Sequence, residues 1–184
     1  MGGNSISKVF AILIAVLLLY IFPISAAFDH QDDVSELVVL RAVTAFVDAV
    51  RDTGYISPEM YNDFVQALSA TGNTYDIQME HGHKRYDPVY DDPSRPETFR
   101  GEYAVHYEMF YSAQILPVLF PDNAVGKDDP SRRYRLAVGD TFYVLVKNTN
   151  RTNGTILHDF LNNAGSTHVK IFIPYGGMVR NEDD

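Results

Sequence analysis

The chain has 184 residues, with 15 Lys and Arg, 24 Asp and Glu, and no cysteine. The lack of cysteine excludes disulfides, thiol catalysis, thiolate zinc sites and the cysteine-linked lipid anchor of bacterial surface proteins. Lys8 is the only charged residue among the first 28, so the rest of the chain carries 14 basic and 24 acidic side chains, a formal charge of −10. Such an acidic surface repels phosphate groups, which argues against nucleic acid or anionic lipid headgroups as partners.

The first element is an uncharged apolar run from Val9 to Ala27. At about 1.5 Å per residue, a helix of this length spans the ~30 Å hydrocarbon layer of a membrane. Lys8 precedes the run, and an acidic cluster that begins at Asp29 follows it. The positive-inside rule therefore predicts a single-pass membrane protein, anchored by residues 9–27, with a cytoplasmic N-terminus and an extracellular C-terminal domain.

The same run also has the plan of a cleavable signal peptide. Lys8 would form the basic region, Pro23 would break the helix, and the small residues Ser25 and Ala27 stand at the positions that signal peptidase reads. Cleavage after Ala27 would give a secreted domain that begins at Phe28. Either way, we divide the chain into a membrane anchor or signal segment at residues 1–28 and an exported domain at residues 29–184, which has the size of one domain.

Two helices are predicted after the apolar run. Apolar residues recur at helical spacing from Asp33 to Asp52, which is typical of a helix with one buried face. A second helix is predicted from Ser57 and Pro58, the preferred N-cap and first-turn residues, to Gly72-Asn73.

The rest of the chain alternates as strands do, with two short helices. Strands are predicted at Thr74–Tyr86, Glu102–Phe110, Tyr134–Val138, Thr141–Asn148 and Val169–Pro174, and helices at Ser112–Leu119 and Thr155–Asn163. We expect a loop at Asp87–Glu97, a hairpin turn at Gly139-Asp140, a central position for Val169–Pro174, a turn at Tyr175–Gly177 and a frayed end at residues 181–184. The predicted class is α+β: an N-terminal transmembrane helix that continues into an amphipathic helix, followed by a mostly antiparallel sheet covered by short helices.

Three histidines are the candidate metal ligands. His81 and His83 flank Gly82 on a predicted strand, and positions two apart point to the same side, so both imidazoles could bind one ion. His106, on another predicted strand, could supply a third ligand. The alternative is a solvent-exposed strand surface without metal. The sequence contains no recognisable catalytic motif, so we predict no catalytic residues, no cofactor and no enzymatic activity.

Two further patterns concern surfaces. Tyrosines and phenylalanines gather on the predicted middle strands around Tyr107, a composition common at protein–protein contacts and in ordinary sheets alike. The sequence Asp-Asp-Pro-Ser-Arg occurs at residues 91–95 and again at residues 128–132. Such a segment is typical of turns, and a pair of acidic loops is also compatible with binding calcium or a basic partner.

Three stretches carry a family resemblance: FDHQDD at residues 28–33, TGYISPEMYNDF at residues 53–64 and KIFIPYGGMVRNED at residues 170–183. With the apolar N-terminal helix, they make the chain similar to small, uncharacterised membrane-anchored pilin-like proteins associated with the Tad-type pilus machinery of Gram-positive bacteria. Pilins keep a glutamate five residues into the mature apolar helix, whereas residues 9–27 contain none. This departure argues against processing by a prepilin peptidase and against a role as a major filament subunit.

The resemblance implies a non-enzymatic, membrane-anchored component of a surface pilus or secretion apparatus, in a minor pilin-like or assembly role, with other pilus or secretion subunits as partners. The alternative is an exported cell-surface binding module that recognises a cation or a cell-wall ligand. A metal-assisted hydrolase built on His81 and His83 is a third possibility.

Overall fold

A single helix, α1, runs from Gly3 to Thr53 through both the apolar run and the predicted amphipathic helix. The structure is a computed structural model that describes residues 3–122, 126, 129–165 and 169–181. The helix continues through Pro23, which lacks the N–H for a backbone hydrogen bond. Its apolar segment is long enough to cross a membrane and is not buried in the protein. In the described part of α1, the first buried side chain is that of Asp32.

The C-terminal half of α1 supplies one side of the hydrophobic core. Its buried apolar residues follow helical spacing and are Val39, Val43, Phe46, Val47 and Val50. The Phe46 ring stacks on Phe64 with centroids 4.6 Å apart and meets Phe142 edge-on at 6.1 Å. Phe46 therefore joins α1 to both the next helix and the sheet.

Helix α2 spans Pro58–Ser69, close to its predicted position. The Ser57 hydroxyl accepts a hydrogen bond of 3.2 Å from the Met60 N–H, which caps the helix N-terminus. Gly54, at a φ of 73°, turns the chain out of α1 and into the short strand β1, Tyr55–Ile56. Strand β1 pairs with β4, Tyr134–Arg135, in a small two-stranded sheet.

The main sheet has four antiparallel strands in the order β3-β2-β5-β6. They are β2 (Tyr75–Tyr90), β3 (Phe99–Tyr111), β5 (Thr141–Asn148) and β6 (Phe172–Met178). Helix α3 (Ser112–Leu119) follows β3, and α4 (Asn153–Asn162) follows β5 and packs on α1. Helices α1, α2 and α3 share one core with the inward residues of β2, β5 and β6, so they lie on one face of the sheet. The α+β prediction, with helices over a mostly antiparallel sheet, is confirmed.

Strands β2 and β3 extend beyond the other two strands. The pairing of β2 with β5 ends at Gly82 and Thr141, whereas its pairing with β3 continues to Tyr90 and Phe99. Residues 83–90 and 99–108 therefore form a two-stranded ribbon that projects from the sheet. The side chains of the β3 half of this ribbon are exposed.

Several sequence predictions about the strands were wrong. Residues 87–90, expected in a loop, belong to β2 because β3 pairs with them. Tyr134–Val138 does not form a hairpin with β5, since only its first two residues are strand and these pair with β1. The C-terminal strand, β6, lies at an edge of the sheet and includes Tyr175–Gly177, which were expected to turn. Of the tail expected to fray, residues 182–184 lie outside the described residues.

Candidate functional site: a histidine–aspartate cluster and an uncovered sheet face

The structure brings His81 and His83 together on the core-facing side of β2, as their spacing predicts, and joins them to Asp140. His106 lies elsewhere: its Nδ1 is 2.7 Å from the Asp87 carboxylate on the projecting ribbon. The third member of the cluster is therefore a carboxylate from the turn before β5. The sequence marks Asp140 only as a turn residue, and no local pattern connects it with the two histidines.

The Asp140 carboxylate lies at the centre of the cluster and is buried. Its Oδ2 is 2.8 Å from His81 Nε2, and both of its oxygens are 3.1 Å from His83 Nδ1. The backbone N–H of Lys84 donates to Oδ1 at 2.9 Å, and that of Ala137 donates to Oδ2 at 2.8 Å. Each oxygen thus has one backbone donor that fixes its position; His83 lies beside both oxygens, and His81 lies beside Oδ2.

The hydrogen bonds fix the charge of Asp140. Burial by itself raises the pKa of this carboxyl group, but the bonds from Lys84, Ala137, His81 and His83 lower the pKa more strongly. The net shift is downward, so Asp140 is an anion. A buried anion with two adjacent imidazoles is a pre-formed electrostatic partner for a proton or a cation.

His81 is neutral because burial lowers its pKa and outweighs the attraction of Asp140. A neutral imidazole has one N–H, and Nε2 faces the carboxylate, so Nε2 donates and Nδ1 accepts from the Tyr134 hydroxyl at 2.7 Å. Burial, the larger cause, and the charge of Asp140, the smaller one, together raise the pKa of Tyr134 to about 12, so the phenol keeps its proton. The Phe110 ring stacks on His81 with centroids 5.6 Å apart.

The cluster is closed on one side and open on the other. Asp140 and His81 are buried, whereas the His83 side chain is 41% exposed. One ligand atom from each of the three residues lies within 4.8 Å of the other two. Two imidazole nitrogens and a carboxylate oxygen are ligands that divalent transition metals accept, and the open side leaves room for water.

The opposite face of the sheet is apolar and uncovered; we call it the outer sheet face. Cross-strand pairing places Tyr107, Met109 and Tyr111 of β3 on the same side as Tyr143 of β5 and Met178 of β6. In the described part of the chain no helix lies over this side. Its exposed large apolar side chains are Tyr86, Tyr103, Val105, Tyr107, Met109, Tyr111, Tyr143, Phe172 and Met178.

The outer sheet face is large for a monomer. Its nine large side chains are each 39–60% exposed and lie side by side, whereas exposed apolar residues on a typical monomer are mostly scattered singly. Its charges balance, because Glu80 and Asp76 share the face with Lys84 and Lys147, and Lys147 pairs with Asp76 at 3.1 Å. The face is therefore neutral on a strongly acidic domain.

The repeated Asp-Pro-Ser-Arg segments form the same local turn. Asp92 Oδ1 accepts from the Ser94 N–H at 3.0 Å, and Asp129 Oδ1 accepts from the Ser131 N–H at 2.8 Å. These bonds are those of an Asx turn, so the repeat follows from turn chemistry. Asp128, which belongs to the second copy, lies outside the described residues.

Comparisons of the chain with models of protein families, with curated proteins and with solved structures find no match.

Proposed function

We propose that the protein is a non-enzymatic, membrane-anchored component of a surface pilus or secretion apparatus, with its domain outside the membrane. The observation that carries this proposal is the unbroken helix α1, which joins an exposed apolar segment to the core of the domain. A signal peptide that is cut off needs no such continuity. A rod that holds a domain at a membrane surface is suited to positioning that domain for assembly.

Among the described residues, the outer sheet face is the surface suited to assembly, and we assign a second copy of this chain as its occupant. A standard protein interface buries about 800 Å² on each partner, and a face of nine exposed large side chains on four strands is wide enough to supply the centre of such an interface. Two acidic domains repel each other, but this face carries balanced charges, so a second copy can meet it with little repulsion. Tyrosine, which dominates the face, is enriched in the buried centres of interfaces.

Self-association is tested with the full chain in detergent micelles by light scattering coupled to size-exclusion chromatography. We expect a dimer, and we expect the double variant Tyr103→Glu/Tyr107→Glu to be monomeric, because it buries two new charges in the contact. The matched control is Phe160→Glu. Phe160 is 79% exposed on α4, which packs on α1 and so lies on the other side of the sheet. A monomeric wild-type protein, or an equally dimeric double variant, would overturn the second-copy assignment.

The role in assembly is tested in cells by deleting the gene. We expect loss or shortening of surface filaments in electron micrographs, or loss of the exported cargo, and we expect the full-length gene to restore them. A gene in which a cleavable signal peptide replaces residues 1–28 should not restore them, because the domain is then released. Unchanged filaments and secretion in the deletion strain would refute the proposal whatever the oligomeric state.

A further inference from the structure

We propose that His81, His83 and Asp140 bind one divalent first-row transition-metal ion of the zinc class. This site does not depend on the proposed role in assembly. The ligands would be His81 Nε2, His83 Nδ1 and one oxygen of Asp140, which already lie together in the fold.

The distance from each histidine nitrogen to the carboxylate is close to that between two ligands of a shared ion. Ligands on bonds of about 2.1 Å to one ion lie roughly 3.0–3.4 Å from one another. His81 Nε2 is 2.8 Å and His83 Nδ1 is 3.1 Å from the Asp140 oxygens. To admit an ion, the buried His81–Asp140 pair widens by a few tenths of an ångström, and His83, which is partly exposed, has room to move outward. The ion takes the place of the imidazole protons that face the carboxylate, and each bound imidazole carries its one proton on the other ring nitrogen.

The groups around the ligands are also those of a metal site. The backbone N–H groups of Lys84 and Ala137 hold the carboxylate, one on each oxygen. The Tyr134 hydroxyl lies 2.7 Å from His81 Nδ1, the nitrogen away from the proposed ion. In metal sites the second imidazole nitrogen usually donates to a neighbouring acceptor, which fixes the ring. Binding would thus move the His81 proton from Nε2 to Nδ1 and make Tyr134 the acceptor of that bond.

The site leaves at least one coordination position open to water through the exposed side of His83. It also joins two distant parts of the chain, because 59 residues separate His81 from Asp140. In a protein without cysteine, an ion here cross-links β2 to the turn before β5 and stabilises the folded state by mass action.

The competing explanation is a hydrogen-bonded cluster that binds no metal, and titration of the full chain distinguishes the two. The protein is purified in detergent, treated with EDTA, dialysed and titrated with Zn²⁺ by calorimetry and with Co²⁺ by visible absorption. We expect one ion per chain. We also expect the visible absorption of bound Co²⁺ to be that of an ion with few ligands and not that of the hydrated ion. We expect no competition from Mg²⁺ or Ca²⁺ at a hundredfold excess, because these ions prefer oxygen ligands.

Two variants and one control locate the ion. His83→Ala removes a ligand whose side chain is half exposed, so the fold should tolerate it, and the Zn²⁺ affinity should fall at least ~100-fold. Tyr134→Phe keeps the ring and loses only the bond to His81, so affinity should fall about tenfold. His106→Ala, which removes another partly exposed histidine from the ribbon, should bind as the wild type does. Absence of stoichiometric binding to the wild type, or equal affinity in His83→Ala, would overturn the proposal.

Discussion

The carboxylate of Asp32 accepts a hydrogen bond of 2.7 Å from the hydroxyl of Thr152, 120 residues further along the chain, and both side chains are buried. The bond connects the first buried turn of α1 to the N-terminus of α4. Gly154 completes the contact, because a Cβ on this residue would lie 2.6 Å from an Asp32 oxygen. The point at which α1 enters the domain is therefore fixed by a polar contact.

Replacing Thr152 with Val should destabilise the domain. The variant leaves the buried Asp32 carboxylate without this donor, which costs about 1–3 kcal/mol, and it removes the N-cap of α4, worth about 1 kcal/mol. Chemical denaturation of the full chain in detergent measures the loss. Thr152→Ser keeps the hydroxyl and should remain close to the wild type. Equal stability of the Val and Ser variants would show that the contact contributes nothing.

Gly82→Ala should destabilise the sheet. A Cβ at Gly82 would lie 2.5 Å from Thr141 Oγ1, so the two strands must separate or the Thr141 side chain must move. Crowding of this kind costs about 1–3 kcal/mol. The double variant Gly82→Ala/Thr141→Ala removes the contact with Oγ1, the shortest of those around the new Cβ, and a double-mutant cycle of unfolding free energies should give a favourable coupling of about 1 kcal/mol or more. Additive effects of the two changes would contradict this account.

Phe46→Ala should cost about 3–5 kcal/mol, because the Phe46 ring contacts both Phe64 and Phe142 in the core. The matched control is Leu37→Ala on the same helix, where the side chain is 65% exposed, and a change within about 0.5 kcal/mol is expected. Thermal and denaturant unfolding of the full chain measure both. A loss of less than 1 kcal/mol for Phe46→Ala would mean that α1 is not a part of the core in solution.

The orientation of the chain can be measured because it contains no cysteine. Ser94→Cys, in the exposed turn between β2 and β3, should react with a membrane-impermeant maleimide in intact cells. Ser5→Cys should react only after the cells are permeabilised, since the proposed orientation places the N-terminus in the cytoplasm. The reverse pattern of labelling would rule out this orientation.

The proposed anchor requires that the apolar segment, residues 9–27, is retained in the mature protein. Mass spectrometry of the protein purified from membranes should show an N-terminus upstream of Val9. A mature N-terminus at Phe28 would instead identify residues 1–27 as a signal peptide and would remove the anchor on which the proposed function rests.

The sequence predicted the helices better than the strand positions. Helix α2 carries its own signals in Ser57 and Pro58, and the valines of α1 repeat at helical spacing. Strand β6 was misplaced because its apolar run resembles a central strand, although Pro174, which has no N–H to donate, favours an edge. Apolar residues lie on both sides of β6 because one side faces the core and the other belongs to the outer sheet face.

The sequence predicted the two histidines of the candidate metal site but not its aspartate. His81 and His83 are two residues apart on one strand, so the period of a strand places them together. Asp140 comes directly before β5, and it lies beside the histidines because the first residue of β5, Thr141, pairs with Gly82 of β2. That pairing depends on the whole sheet. The position of His106 depends on the register between β2 and β3, which likewise has no local signal.

The unbroken course of α1 through the apolar segment affects how copies would meet. In a membrane, identical helices would hold every domain at the same distance from the bilayer and in the same orientation. Copies would then meet by diffusion in the two dimensions of the membrane plane. Confinement of this kind raises the effective concentration of the outer sheet face, as a tether does. A contact too weak to persist between freely diffusing domains can then be fully occupied at the membrane, and release of the domain from its helix would dissolve the assembly without altering any residue of the contact.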